Sequence, residues 1–273
     1  MNYEFSVLMS VYIKEKEEYF RQCMESVLTQ TLMPNEIVIV EDGPISEELQ
    51  KAINDYLAKF PSLIKIVFLK KNLGLGLALS HGVIACKYEL IARMDTDDIC
   101  VPERFEKQIN MFKNNPNLDI CGSHIKEFDS TPDKVLSLRR VPLDDRAIKQ
   151  YQKRRDSFNH MTVMFKKEAV LKAGNYRHAL LMEDSLLWVN MMKNDVVCAN
   201  IDDYLVYVRT GEDMFERRGG WDYFKKYYLG RRAIFQTGYI SKVDYIYTLA
   251  VQFLVAIVPN GLRKIIYTKI LRD

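Results

Sequence analysis

Tyr88-Glu-Leu-Ile-Ala-Arg-Met-Asp-Thr-Asp-Asp98 decides how this chain is read. Leu90–Met94 is a short apolar run with strand character. It stops at Asp95, and a helix start follows at Pro102. Acids at 95, 97 and 98 in such a junction converge on one small volume. Like charges that close raise each other's pKa, so the cluster is unfavourable until a cation joins it. Mg²⁺ or Mn²⁺ takes carboxylate oxygens, and a diphosphate can complete its shell. A solvated turn with Asp98 capping the next helix would use the same residues.

Outward from this stretch, strands and helices alternate. Phe5–Met9 reads as a strand, followed by Phe20, Met24, Val27 and Leu28 at helical spacing. Glu36–Val40 is a β-branched run that ends at Glu41-Asp42-Gly43-Pro44, a turn signal. A polar helix spans Ser46–Lys59, a third strand Ile64–Leu69 and a glycine-bearing helix Leu73–Ala85. Helix Pro102–Phe112 and strand Leu118–Cys121 follow the acidic turn. The β-α-β-α order predicts a mostly parallel, doubly wound α/β sheet. Such sheets bind ligands beyond the carboxyl ends of their strands. Tyr12, Asp42 and Asp95 all follow strands, so they can share one crevice.

Composition narrows the class. At 273 residues the chain can bury one large core, or one domain with an extension. Being 48% apolar and 27% charged, it is globular. A net charge of +3 gives no footprint for nucleic acid. The five cysteines are odd in number and lack a C-x-x-C pair, which reads as reduced cytosolic thiols in the core. Four scattered histidines offer no His-based metal site. The opening residues carry Glu4 and no basic region, so no secretory signal is expected. Ser123–Arg155 is polar and irregular, either surface loops or an excursion towards an acceptor. Val163–Phe165, a helix from Lys167 and a helix opening at Glu183-Asp184 complete the central pattern.

Five motifs stand in one order: Ser6-Val-Leu-Met-Ser-Val-Tyr12, Val40-Glu-Asp42-Gly43, Asn72-Leu-Gly74-Leu-Gly76-Leu-Ala78, Arg93-Met-Asp95-Thr-Asp97-Asp98 and Met182-Glu183-Asp184-Ser-Leu-Leu-Trp188. Together they resemble the family 2 glycosyltransferases, inverting enzymes of the GT-A fold, over roughly residues 4–215. Within that family the chain is similar to bacterial enzymes that extend lipid-linked O-antigen or capsule repeat units. The resemblance implies a hexosyltransferase that uses a UDP-sugar, glucose first and galactose, GlcNAc or GalNAc next, with Mn²⁺ or Mg²⁺. It implies an undecaprenyl-diphosphate-linked saccharide as acceptor and work at the cytoplasmic face of the bacterial inner membrane.

The same resemblance assigns roles. Asp97 is the direct metal ligand, and Asp95 contacts the ribose or a metal-bound water. Asp42 accepts from the uracil N3–H, and Tyr12 flanks the ring. Asn72 and Gly74 let backbone approach the nucleotide. Arg93 pairs with the acids or with a phosphate. Asp184 is the base that deprotonates the acceptor hydroxyl, with Glu183 as the fallback. Both acids also suit a helix N-terminus without catalysis. Trp188, one turn further along, reads as core or as a platform for the acceptor. Arg217 and Arg218 suit a phosphate, either on UDP or on the acceptor, or else a solvated basic turn. The family often has Asn where Ser80 stands. His160 and Arg177 are further candidates for the acceptor wall.

The sequence therefore divides into a transferase domain over 1–215 and a basic, aromatic, helical extension over 216–273. Tyr245–Pro259 is almost uncharged but shorter than the roughly 20 apolar residues a spanning helix needs. Leu262, Ile265, Ile266, Ile270 and Leu271 alternate with Arg263, Lys264, Lys269 and Arg272. That pattern fits a helix in an anionic membrane interface or one docked on the protein's own core. Two rivals remain. A nucleotidyltransferase would carry a glycine-rich basic loop after the first strand, where Ser10-Val-Tyr12-Ile-Lys-Glu15 stands instead. A polysaccharide-assembly scaffold with an inactive transferase domain would not need acids at 42, 95, 97 and 184.

Overall fold

The computed structural model describes residues 3–179, 181–210 and 219–258. Four strands form the parallel half of the sheet: β1 (Phe5–Val11), β2 (Glu36–Asp42), β3 (Ile64–Leu69) and β4 (Leu90–Arg93). They lie in the order β3-β2-β1-β4, each pair parallel. Helices α1 (Glu17–Leu28), α2 (Glu47–Lys59) and α3 (Leu75–Ala85) make the crossovers. β2 is buried along its whole length, as expected of a strand covered on both faces. Alternate residues serve alternate layers. Val7, Met9, Ile37 and Ile39 pack under α1 and α2. Leu8, Val38 and Val40 pack under α3. Gly82 of α3 allows this approach, since a Cβ there would meet Leu8 Cδ1 at 2.3 Å.

The second half departs from the expected parallel order. β5 (Ile99–Cys100), α4 (Arg104–Asn114), β6 (Leu118–Phe128), β7 (Val135–Arg139), α5 (Asp145–Tyr151), β8 (Met164–Lys166), α6 (Lys167–Lys172), α7 (Glu183–Lys193) and β9 (Val197–Arg209) follow in sequence. β8 inserts antiparallel between β4 and β6, whereas β6 and β9 run parallel. β5 and β7 add antiparallel pairs. β8 is three residues long and is entered from the 3₁₀ turn His160–Thr162 rather than from a crossover helix. Nothing in its approach requires the parallel direction.

Ser123–Arg155 is not simply surface. Ser123–Phe128 extends β6, and Ser123, His124 and Glu127 are buried. The buried polar groups are paired: His124 Nε2 lies 3.1 Å from Asp202 Oδ1, and its Nδ1 accepts from the Val141 N–H at 3.2 Å. α4 begins two residues after Pro102, whose carbonyl accepts from the Thr31 N–H.

Two more helices, α8 (Gly220–Gln236) and α9 (Lys242–Ile257), pack as a hairpin. α8 meets α7 through a small core of Val189, Ile234 and Ile240. Gly230 of α8 comes so close to the start of α7 that a Cβ would stand 3.0 Å from the Leu181 carbonyl and the Met182 sulfur. Among the described residues no helix is long and apolar enough to cross a membrane.

Candidate active site

The acidic turn is held from behind by two buried arginines. Arg104 of α4 donates to the Arg93 carbonyl at 2.6 Å. Arg93, 1% exposed, grips Asp95 with both terminal nitrogens, Nη1 donating to Oδ2 at 2.6 Å and Nη2 to Oδ1. Arg93 thus pairs with the acids, one of the two roles considered for it. Asp98 is buried and accepts the Arg209 N–H at 2.8 Å. It does not cap the following helix, because β5 intervenes and α4 is preceded by Glu103. Arg209 also donates from Nε to the Asp97 carbonyl at 3.2 Å, so β9 clamps the turn from the far side.

Asp97 has no ion pair among the described residues. Burial, then the charge of Asp95, pushes its carboxyl up to about 6. Glu15, in the loop after β1, is pushed up to about 7, first by burial and then by Asp97. Sequence reasoning missed Glu15; its place four residues beyond β1 was the signal available. Ligand oxygens of Asp95, Asp97 and Asp98 lie within 4.8 Å of one another. An all-carboxylate set fits a hard divalent cation, which would favour the charged forms of Asp97 and Asp98. Asp97 and Asp95 would hold it, with Asp98 buried behind them.

Tyr12 follows β1 directly and is 41% exposed. Asp42 closes β2, and its carboxylate is already engaged: Oδ1 accepts from the Leu73 N–H at 2.7 Å and Oδ2 from the Gly74 N–H at 3.0 Å. Asn72 Nδ2 donates back to the Asp42 carbonyl at 3.2 Å. Asp42 and Asn72 therefore tie the loop before α3 to the strand end, a role the sequence did not disclose. Each Asp42 oxygen keeps a second lone pair for a base N–H. Gly43 has φ +84°, and a Cβ on it would meet the Asn72 nitrogen at 2.5 Å. Gly74, the N-cap of α3, has φ +86° with open space around it.

On the other wall α7 presents Glu183 and Asp184 at its first turn. Met182 before them holds φ +69°, a left-handed conformation uncommon for a residue with a side chain. Asp184 Oδ1 accepts from the Ser185 N–H at 2.8 Å, and Oδ2 lies 4.0 Å from His160 Nδ1. His160 Nε2 contacts the Tyr176 hydroxyl at 2.8 Å. Burial, helped by Arg93, drives the His160 pKa well down, so the imidazole is neutral and does not compensate Asp184. Burial, then Asp156 and Glu183, pushes the Asp184 carboxyl up to about 8, although 21% of the side chain still faces the crevice. Burial raises Glu183 as well. Charges of Arg93 and Asp95 act on Glu183, which brings the α7 acids and the acidic turn into one electrostatic site. Trp188 is core, 1% exposed, with its ring centroid 5.8 Å from that of His160.

Gly76 joins the two walls. A Cβ there would sit 2.3 Å from the Arg177 carbonyl oxygen and 3.1 Å from Glu183 Cβ. In an ordinary helix Gly→Ala gains about 0.5–1 kcal/mol. Here the overlap with fixed backbone forces a shift costing about 1–3 kcal/mol, so the clash wins. Gly76→Ala is expected to lower the Tm by a few degrees and transfer by about tenfold or more, since small displacements of reacting groups are expensive. Thermal unfolding beside a transfer assay checks both. Arg217 and Arg218 lie outside the described residues.

The family description "Glycosyl transferase family 2" matches residues 6–172. The amylovoran biosynthesis glycosyltransferase AmsE of Erwinia amylovora is 43% identical over 268 residues, covering 97% of this chain and 98% of its own. A UDP-Gal:alpha-D-GlcNAc-diphosphoundecaprenol beta-1,3-galactosyltransferase of Escherichia coli is 33% identical over 269 residues, covering 98% and 97%. The mannosyltransferase PcManGT of Pyrobaculum calidifontis, solved with GDP-Man and Mn2+, superposes with a TM-score of 0.63 at 14% identity, covering 95% of this chain and 71% of that one. The curled mixed sheet flanked by helices is thus the GT-A fold. The family match over residues 6–172 and these relatives, aligned over almost the whole chain, make this chain a glycosyltransferase, a member of glycosyltransferase family 2.

Proposed function

We propose that the protein transfers a hexose from a UDP-sugar, with inversion, to a saccharide carried on undecaprenyl diphosphate, at the cytoplasmic face of the bacterial inner membrane. The observation that carries this reading is that the acidic turn and the acids opening α7 are close enough for the charges of Arg93 and Asp95 to act on Glu183. Asp95 and Asp97 serve the nucleotide diphosphate; Asp184 serves the acceptor. A divalent cation held there would neutralise charge on the departing diphosphate. The Escherichia coli relative, named for UDP-Gal and a diphosphoundecaprenol acceptor, supports this donor and acceptor class. PcManGT, solved with Mn2+, supports the metal.

Asp42 and Tyr12 orient the base, with Asn72 and Gly74 shaping the loop beside it. Asp184, ionised, accepts the proton of the acceptor hydroxyl as that oxygen bonds to the anomeric carbon and the sugar–phosphate bond breaks. The raised pKa of Asp184 makes it a stronger base than a surface carboxylate. Glu183, raised by burial as well, is the fallback base beside it. In the same reading Arg217 and Arg218 bind phosphate on the donor or the acceptor.

UDP release from UDP-Gal, UDP-Glc, UDP-GlcNAc and UDP-GalNAc with Mn²⁺ tests the proposal, with and without a GlcNAc- or GalNAc-diphosphate-lipid acceptor. Acceptor-stimulated release from one donor is the expected result, and it names the hexose. Absence of UDP binding in the presence of metal would overturn the reading.

A further inference from the structure

Helix α9 is built inside out. Along its first three turns the residues it buries are polar, Asp244, Thr248 and Gln252, with Thr248 only 3% exposed; Val255 and Ala256 are buried only in its last turn. Asp244 closes a capping box with Ser241 and accepts from Arg154 Nε at 2.6 Å. Thr248 Oγ1 accepts from Arg231 Nε of α8 at 3.1 Å, and Arg231 Nη2 donates to the Lys153 carbonyl at 2.8 Å. The opposite stripe is apolar and faces outwards: Val243, Ile246, Tyr247, Phe253, Leu254 and Ile257. Val243 and Ile246 are 68% and 65% exposed. A helix surrounded by water buries its apolar stripe and exposes its polar one. This helix does the reverse over its first three turns, and its outward apolar stripe runs on to Ile257, which fits an apolar medium beyond it.

Charge selects that medium. Trp221 at the start of α8 packs against Phe253, their ring centroids 6.3 Å apart, so the free end of α8 adjoins the far end of the α9 stripe. Lys225, Lys226, Arg232 and Lys242 on these two helices are exposed, against one exposed acid, Asp222. A second copy of the chain would bring like charges together across a two-fold interface, which is unfavourable. An anionic bilayer pairs both the apolar stripe and the cations, and a half-exposed Trp221 suits the headgroup boundary.

We propose that the outward stripe of α9, with the Trp221 end of α8, docks the protein on an anionic lipid surface. The proposal rests on the lipid-linked acceptor for its purpose: Gly230 of the same hairpin presses on Leu181 and Met182, so docking sets the α7 acids at a fixed place above the bilayer.

The test uses the full chain and vesicles of phosphatidylglycerol with phosphatidylethanolamine, beside vesicles of phosphatidylcholine alone. Sedimentation with the anionic vesicles and a blue shift of tryptophan emission are expected. Ile246→Glu with Leu254→Glu should weaken vesicle binding by about tenfold or more, while UDP binding and helix content stay as in the wild type. Lys225→Gln with Lys226→Gln should shift binding to lower salt without touching the stripe. The inference is overturned if the wild type ignores anionic vesicles, or if binding survives both pairs of substitutions and is lost on neutralising Arg263, Lys264, Lys269 and Arg272. A concentration-dependent dimer that Ile246→Glu dissociates, with no vesicle binding, would overturn it in favour of a second copy. If vesicles bind but no hexose is transferred, the transferase proposal fails and this one stands.

Discussion

Asp184→Asn leaves UDP binding within about twofold of wild type and lowers transfer by about 10²–10⁴-fold, the usual worth of a positioned base. The amide is isosteric with the carboxyl and can still accept the Ser185 N–H, so the start of α7 keeps its shape. What is lost is the proton acceptor. A stability change of opposite sign accompanies the loss. In the folded protein burial and neighbouring acids favour the neutral carboxyl, with its pKa up to about 8. That preference contributes stability below the unfolded value and is lost as pH rises through about 8. At neutral pH the wild type must hold on that carboxyl a proton the unfolded chain does not bind, and above about 8 it carries a buried charge; Asn removes both costs, and Asp184→Asn should melt higher. Each kcal/mol is worth about 2–4 °C for a chain of this size. The same shift sets the activity profile: kcat/KM should climb with pH and level off above about 8, because the ionised form acts. A transfer assay, a UDP titration and a melting curve on both proteins read all three effects. Near-wild-type turnover by Asp184→Asn would remove the base from Asp184.

Asp97→Ala should abolish metal-dependent donor binding. Wild-type protein with Mn²⁺ and UDP at about 100 times their Kd should gain about 2.7 kcal/mol of stability; the variant should gain nothing measurable. Without ligand the order reverses. Burial and Asp95 hold the Asp97 carboxyl up at about 6, so its contribution to stability falls as pH rises through that value. Alanine removes the liability, and the bare variant should be the more stable protein at neutral pH. Melting curves with and without Mn²⁺ and UDP separate the two effects. A wild-type-sized ligand shift in the variant would move the metal site away from Asp97.

Much of this was legible in the sequence because it rests on local pattern. Glu36–Val40 is β-branched and unbroken, and β2 is buried throughout. The polar helix read over Ser46–Lys59 forms as α2, and the Ser46 hydroxyl accepts from the Leu49 N–H. The acidic turn announces itself by crowding, because three carboxyls in four residues repel one another until a cation joins them. What escaped the reading depends on contacts between distant residues. β9 carries Asp202 and Asp203 in mid-strand, which breaks the apolar pattern; its register against β6 also shifts between Ser123 and His124. Its last residue, Arg209, clamps Asp98 from 111 positions away. Glu15 is one acid among many until the fold sets it beside Asp97. The inverted α9 was visible only as an apolar stretch, since burial alone reveals that its polar residues face inwards. The turn capping read for Asp98 failed for a related reason: short β5 diverts the chain before the helix begins.

The stereochemistry of the product tests the central claim most directly. The transfer product from an α-linked UDP-hexose should be analysed by proton NMR at the new anomeric centre. One base acting opposite the leaving diphosphate inverts that centre, so a β-linkage is expected. An α-linkage would contradict single-step attack assisted by Asp184.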